Sequence, residues 1–338
     1  MNIKEFSSFF HPQYKEILER HIKDCASQTN VNVIHETLEH TQKIALAGAK
    51  YIRPYLVYLM YNAQGGSDKK DIISFASGVE MFHLFCLVHD DIFDRGQMRR
   101  GIPTLHTQFA EPIAVLIGDL LLSWAHDEFS KYSEEGVLNN ILAQMKNEVV
   151  IGEIMDVLLA KADYATHADI IKKTELKTAY YTFVRPMQEG VALAGGSFEK
   201  LKWCEEFGNA LGMAFQLRDD MLDVVDTTGL KNKQMGDLQE GQQTLFTYAI
   251  QEFGTEAQKI ELAKMYGTIL SDEEIIVARQ LFRDSGAIAY VAKCTNEYFD
   301  TAEKLLADWP FDMEWKKYII DLLSSLREGF DEMSEPVT

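Results

Sequence analysis

Residues 72–93 read IISFASGVEMFHLFCLVHDDIF, and this stretch decides the fold. Apolar side chains fall on several faces of a helix drawn through it, the pattern of a helix packed inside a bundle. Its end is acidic, because Asp90 and Asp91 are followed by Asp94. The region from Trp203 to Val225 repeats the plan: Phe207, Leu211 and Phe215 recur at four-residue spacing, and the run closes on Asp219, Asp220 and Asp223. Sustained two-residue alternation bounded by turns does not occur, so strands are not expected. Breaks fall at NAQGGSDK (62–69), between Gly96 and Pro103, and across DTTGLKNKQMGDLQEG (226–241). With only 7 prolines in 338 residues, and no repeat or low-complexity tract, the chain reads as all-α, a single-domain bundle of long helices over 1–338.

Composition narrows the function. Against 33 basic residues stand 52 acidic ones, a formal net charge of −19. A nucleic-acid partner needs a basic footprint, and a polybasic membrane anchor needs clustered Lys and Arg, so neither is expected. No apolar run is expected to reach the roughly 18 to 20 residues that span a bilayer. The opening MNIKEFSSFFHPQYKE lacks a secretory pattern. Cys25, Cys86, Cys204 and Cys294 are scattered, which fits free thiols in a reducing compartment better than a zinc site or a disulfide framework. A cytoplasmic protein is expected.

The two acidic runs carry the chemistry. Asp90 and Asp94, four apart, share a helix face with Asp91 to one side, and Asp219, Asp220 and Asp223 repeat the same motif. Like charges so spaced destabilise a helix, and burying them costs far more. Something cationic must offset them, and a hard divalent cation shared with substrate phosphates is the natural choice. A solvated acidic face would explain one triplet; two within apolar helices argue against it. Arg99 and Arg100 follow the first triplet between Gly96 and Gly101, while Lys50 and Arg53 lie in GAKYIRP and Lys177 in LKTAYYTF. In so acidic a chain these are the groups available to grip an anion, although any one of them alone could be an ordinary ion pair.

At this point the sequence resembles the trans-isoprenyl diphosphate synthases, the farnesyl and geranylgeranyl diphosphate synthase group. GAKYIRP, HDDIFD with RRGIPTLH, GDLLL, GEIMD, KTAYYTF and FQLRDDMLD occur in the family's order over residues 48–244. The resemblance implies the isoprenoid synthase fold around a central prenyl-diphosphate cavity, a homodimer, and three magnesium ions per active site. It implies a 1′-4 head-to-tail condensation in which an allylic diphosphate ionises and alkylates isopentenyl diphosphate. Asp90, Asp94 and Asp219 would ligate magnesium, with Asp91, Asp220 and Asp223 as supporting or direct ligands. Lys177 and Arg99 would assist departing pyrophosphate, Lys50, Arg53, His83 and Arg100 would hold isopentenyl diphosphate, and Lys233 or Lys231 would supply a further loop lysine. The Thr178 carbonyl, Tyr181 and Gln216 would face the carbocation.

Three positions depart from the family pattern: Ala49 stands for the second glycine of GGK, Gln242 for the lysine of GKxT, and Glu153 where glutamine is more usual. With Gln242 there, weaker diphosphate binding is expected. Product length is implied by Phe85, five positions before Asp90 and so about 7.5 Å along the helix axis, and by Phe82 one turn further. As a floor these resemble enzymes that stop at the twenty-carbon geranylgeranyl product, with farnesyl diphosphate the alternative; as bare core residues they would set nothing. A regulatory subunit and a terpene synthase on the same fold are the competing readings. The complete triplets argue against the first and intact Lys50, Arg53 and Arg100 against the second. A metal phosphohydrolase, prompted by His89-Asp90 and His126-Asp127, rests on pairs common by chance.

Overall fold

A computed structural model describes residues 1–67, 69–132, 136–162, 164–225 and 234–334, with the side chains of 69–71 and 332–334 also outside that description. Lys231 and Lys233 lie outside the described residues. The chain is all-α, as expected, and divides into two compact units.

The first unit comprises residues 1–141 and 186–197. It holds α1 (Ile3–Ala26), α2 (Asn32–Leu46), α3 (Ile52–Ala63), α4 (Lys69–Phe93), α5 (Leu105–Gln108) and α6 (Glu111–Ser130). Between α4 and α5 the only strands among the described residues, β1 (Met98–Arg99) and β2 (Ile102–Pro103), pair antiparallel. Arg100 and Gly101 at the turn both have positive φ, 54° and 78°, the requirement of a two-residue hairpin whose twist matches its strands. The core is aromatic: Phe6 stacks on Phe10 at 5.2 Å, and both, with Tyr14, Tyr55, Phe75 and Phe82, are fully enclosed. Ile72–Phe93 corrects the expectation about apolar runs, since it is long and apolar enough to cross a membrane by length and composition, with mean hydropathy 1.5. Some 78% of it is nevertheless buried inside the protein, as in a core helix.

Glu128 ties this unit together from inside. Its carboxylate is fully buried on α6 and accepts from His21 Nε2 at 2.8 Å and Ser74 Oγ at 2.5 Å, and from Arg20 and Lys131. Burial opposes its ionisation, yet these donors outweigh burial and hold its pKa down to about 2.

The second unit comprises residues 142–185 and 198–338. Helix α7 (Gly136–Leu159) enters it and is followed by α8 (His167–Thr174) and a π-helix (Glu175–Val184); after α9 (Arg185–Leu193), which belongs almost wholly to the first unit, the second resumes with α10 (Phe198–Val225). Then come α11 (Gly236–Glu240), α12 (Leu245–Phe253), α13 (Glu256–Met265), α14 (Asp272–Asp284), α15 (Ala287–Ala307) and α16 (Met313–Ser334). Reciprocal capping boxes start α8 at Thr166 and Asp169 and α14 at Ser271 and Glu274. Trp203 stacks on Phe207 at 4.8 Å, with Trp309 edge-on at 5.2 Å.

Candidate active site

In the first unit, α4 delivers its three aspartates at its C-terminal end, where the β-hairpin folds back on them. Asp91 is 5% exposed, and Arg99 on β1 grips it with Nε at 3.0 Å and a terminal nitrogen at 2.5 Å from Oδ1. Burial raises the Asp91 carboxyl above its ordinary range in spite of that guanidinium. Asp90 and Asp94 are partly exposed, and their charges join Asp91's in holding Arg99 protonated. The sequence offered Arg99 as an anion grip; the fold makes it the counter-ion of the acidic triplet.

Two to three turns back along α4 lies a cluster that includes two guanidinium groups. Arg53 and Arg100 both act on Glu80 and His83. Burial, and then the charges of Arg53, Arg100 and Arg99, keep the His83 imidazole neutral, well below its usual range. Glu80 is 2% exposed, and burial raises its pKa to about 7 against the pull of Arg100 and Arg53. Arg100 is braced by the Ile44 and Ala45 carbonyls, each at 3.3 Å. Lys50 is exposed, its carbonyl held by Ser7 Oγ at 3.0 Å. Thus Arg53, His83 and Arg100, distant in sequence, converge. Glu80 was missed, though it lies in the same EMFH segment; a lone glutamate on an apolar helix was the available signal.

On the same turns of α4, Phe82 and Phe85 are buried at 1% and 9% exposure, with ring centres 5.5 Å apart. The Phe85 ring also meets His89 edge-on at 4.8 Å.

In the second unit, Lys177, Thr178 and Tyr181 sit on the π-helix, a rare winding that widens the helix and clusters at functional sites. Two glycines let it lie close between its neighbours. A Cβ at Gly152 on α7 would stand 2.4 Å from Lys177 N, and one at Gly212 on α10 would stand 2.7 Å from Ala179 Cα. Lys177 Nζ lies 2.6 Å from Asp156 Oδ2 and 2.9 Å from Glu153 Oε2. Thr178 is half-buried and Tyr181 buried.

The second triplet ends α10. Gln216, four residues before Asp220 on the same helix face, donates to its Oδ1 at 2.7 Å. Asp223 is 4% exposed and accepts the backbone amides of Gly236 at 3.0 Å and Asp237 at 3.1 Å, so it caps α11. Asp219 is partly exposed.

Magnesium, which the resemblance implies, can be tested against this donor set. Among the described residues no three His, Cys, Asp or Glu side chains form a ready metal cage. Both triplets offer only hard carboxylate oxygens, and magnesium commonly takes one or two of those with water and substrate phosphates rather than an all-protein cage. The residues fit the cation.

Helix ends bearing paired carboxylates, with clustered guanidinium and ammonium groups on an all-helical frame, define a class of enzyme built to handle diphosphates with divalent cations. The chain belongs to the polyprenyl synthetase family, whose model matches residues 34–283, and is accordingly a prenyltransferase. It is 29% identical over 299 residues to a short chain isoprenyl diphosphate synthase of Methanothermobacter thermautotrophicus, covering 87% of this chain and 90% of that one. A geranylgeranyl diphosphate synthase of Methanosarcina mazei is 30% identical over 265 residues, covering 77% and 80%. The crystal structure of a geranylgeranyl pyrophosphate synthase from Corynebacterium glutamicum, complexed with isoprenyl diphosphate and magnesium, superposes with a TM-score of 0.83 at 24% identity. It covers 96% of this chain and 98% of its own. The fold is therefore the all-α isoprenoid synthase fold.

Proposed function

We propose that this protein condenses isopentenyl diphosphate with allylic diphosphates, 1′-4 and head to tail, and stops at the twenty-carbon geranylgeranyl product. The observation that carries the product length is the buried, mutually packed pair Phe82 and Phe85 on α4, upstream of Asp90 on the same helix. An aromatic five positions before Asp90, with the smaller Cys86 at four, leaves room for added isoprene units before the chain meets the Phe85 ring.

In this reading both aspartate triplets supply oxygens to magnesium, three ions per site, which would stabilise charge on the departing pyrophosphate. Lys177 adds a positive charge to that leaving group. Arg53, Arg100 and Lys50 hold isopentenyl diphosphate, with neutral His83 offering a hydrogen bond rather than a charge. The Thr178 carbonyl, Tyr181 and Gln216 present dipoles to the carbocation, and such groups stabilise charge most where water is excluded. Lys233 belongs to the same reading as a loop cation. A homodimer and a cytoplasmic location follow from it as well; the four free cysteines support a reducing compartment.

The test is to incubate the protein with magnesium, labelled isopentenyl diphosphate and dimethylallyl, geranyl or farnesyl diphosphate in turn, then to size the dephosphorylated products. Twenty-carbon alcohols support the reading, fifteen-carbon products favour a farnesyl diphosphate synthase, and cyclic hydrocarbons formed without isopentenyl diphosphate overturn the condensation. Phe85→Ala is expected to lengthen the products; an unchanged distribution sinks the floor.

A further inference from the structure

The second unit contains a buried lysine that neither the motifs nor the proposed chemistry uses. Lys173, in the last turn of α8, is 8% exposed. Its Nζ lies 2.8 Å from Asp156 Oδ1 and donates to the Gln243 carbonyl at 2.8 Å. Lys177 stands one turn further on and takes the other oxygen of the same carboxylate, at 2.6 Å. One buried aspartate thus divides its charge between two ammonium groups, and together they hold its pKa down against burial.

The Gln243 end of this arrangement leads back to the second triplet. Asp223 caps α11 through the Gly236 and Asp237 amides, and α11 runs directly into Gly241, Gln242, Gln243 and Thr244. That four-residue segment has no cation of its own, and the Gln242 Oε1 atom is buried without a hydrogen-bond partner among the described residues. Lys173 therefore links the segment behind the second triplet to the carboxylate that holds Lys177. An apolar side chain could have filled the same space without the cost of burying an ammonium.

We propose that Lys173 is a positioning residue for diphosphate binding, acting through Asp156 on Lys177; the assignment of Lys177 to the diphosphate rests on the function proposed above. With Lys173 in place, Asp156 stays neutralised when Lys177 turns to the incoming diphosphate. Without it, Asp156 would be left as a lone buried carboxylate, so it holds Lys177 back and competes with the ligand. The Gly241–Thr244 segment loses one of its anchors at the same time.

The probe is inorganic pyrophosphate with magnesium, titrated calorimetrically into the full chain, beside the allylic KM and kcat. Lys173→Met is expected to weaken pyrophosphate binding about tenfold and to raise the allylic KM more than it lowers kcat, whereas Lys173→Arg stays within about threefold of the parent. The double variant Lys173→Met with Asp156→Asn removes the competing carboxylate and is expected to recover most of the lost affinity, an outcome a merely structural lysine would not give. It also serves if the single variant fails to fold by circular dichroism. Parental affinity in Lys173→Met, no recovery in the double variant, or a parent that binds no pyrophosphate overturns the proposal. A parent that condenses prenyl diphosphates while Lys173→Met behaves like it leaves the proposed function standing and removes only Lys173. A parent that makes no prenyl product, yet loses pyrophosphate affinity on Lys173→Met, does the reverse.

Discussion

Helices α4 and α10 end in the same triplet of aspartates, but the two ends are held differently. On α4, Asp91 is gripped by a guanidinium, Arg99, carried on a short two-strand hairpin. On α10, Asp220 takes the Gln216 amide and Asp223 takes two backbone N–H groups of α11. One is braced by a charge that a single side-chain truncation removes, the other partly by main-chain dipoles that side-chain truncation leaves in place. The same motif can thus be stabilised by two kinds of neighbour, provided each leaves the outward aspartates for a cation. Asp90 and Asp219 hold equivalent positions and are both partly exposed.

The comparison breaks most decisively at those two residues. If both triplets serve one diphosphate chemistry, Asp90→Ala and Asp219→Ala each lower kcat by about 10³-fold or more in the magnesium-supported condensation assay. Should only one of them do so, the ends are not equivalent and the shared motif has misled.

Arg99→Met comes next. It leaves Asp91 buried beside an apolar side chain, and breaking a buried pair in this way costs several kcal/mol. Because Arg99 retains 31% side-chain exposure, about 2 to 3 kcal/mol is expected, read from the urea midpoint. Gln216→Met on α10 removes a neutral donor and is expected to cost only about 1 kcal/mol. Equal losses would erase the distinction between charge and dipole.

Helix α4 also carries Glu80, which the α10 reading has no counterpart for. Its folded pKa is raised, to about 7, so the folded chain binds a proton that the unfolded chain releases near the ordinary value of 4.5. Stability from this group is therefore fully present below pH 4.5 and declines as pH rises towards 7, with a span of about 3 kcal/mol if the whole shift is expressed. The difference in unfolding free energy between the parent and Glu80→Gln, measured from pH 4.5 to 8, should follow that slope and flatten above 7. A flat difference would mean that Arg53 and Arg100 keep Glu80 ionised throughout.

Much of this was legible in the sequence because period and chemistry coincide in it. The apolar runs before Asp90 and Asp219 announce buried helices, and the offset of Gln216 from Asp220 specifies a contact the fold contains. Arg53, His83 and Arg100 were singled out as ligand groups, and they do converge, although only the resemblance supplied a reason to combine them. What the sequence withheld is pairing across long separations. Lys173 and Gln243 are 70 positions apart, and no local pattern distinguishes a lysine that will be buried from one on the solvent face of a short amphipathic helix. The π-helix is equally silent, and the glycines that let it pack closely, Gly152 and Gly212, lie far outside its own residues. The role of Arg99 turned on the hairpin, whose two-residue strands are too short to leave a periodic signal.

The smallest effect concerns the dipole-braced end. In Asp223→Asn the side-chain carbonyl can still accept one of the two α11 amides, but the new NH₂ group faces the other, so one buried backbone donor goes unmatched. An unmatched buried donor costs about 1 to 3 kcal/mol, and the α11 position lets water relieve part of that, so a loss near 1 kcal/mol is expected with an unchanged denaturant slope. Because the lost interaction involves a carboxylate and fixed main-chain dipoles, moderate salt should scarcely alter the difference between Asp223→Asn and the parent. A loss that shrinks steeply with salt would point instead to a cation as the principal partner of Asp223, and the two aspartate ends would then be braced alike.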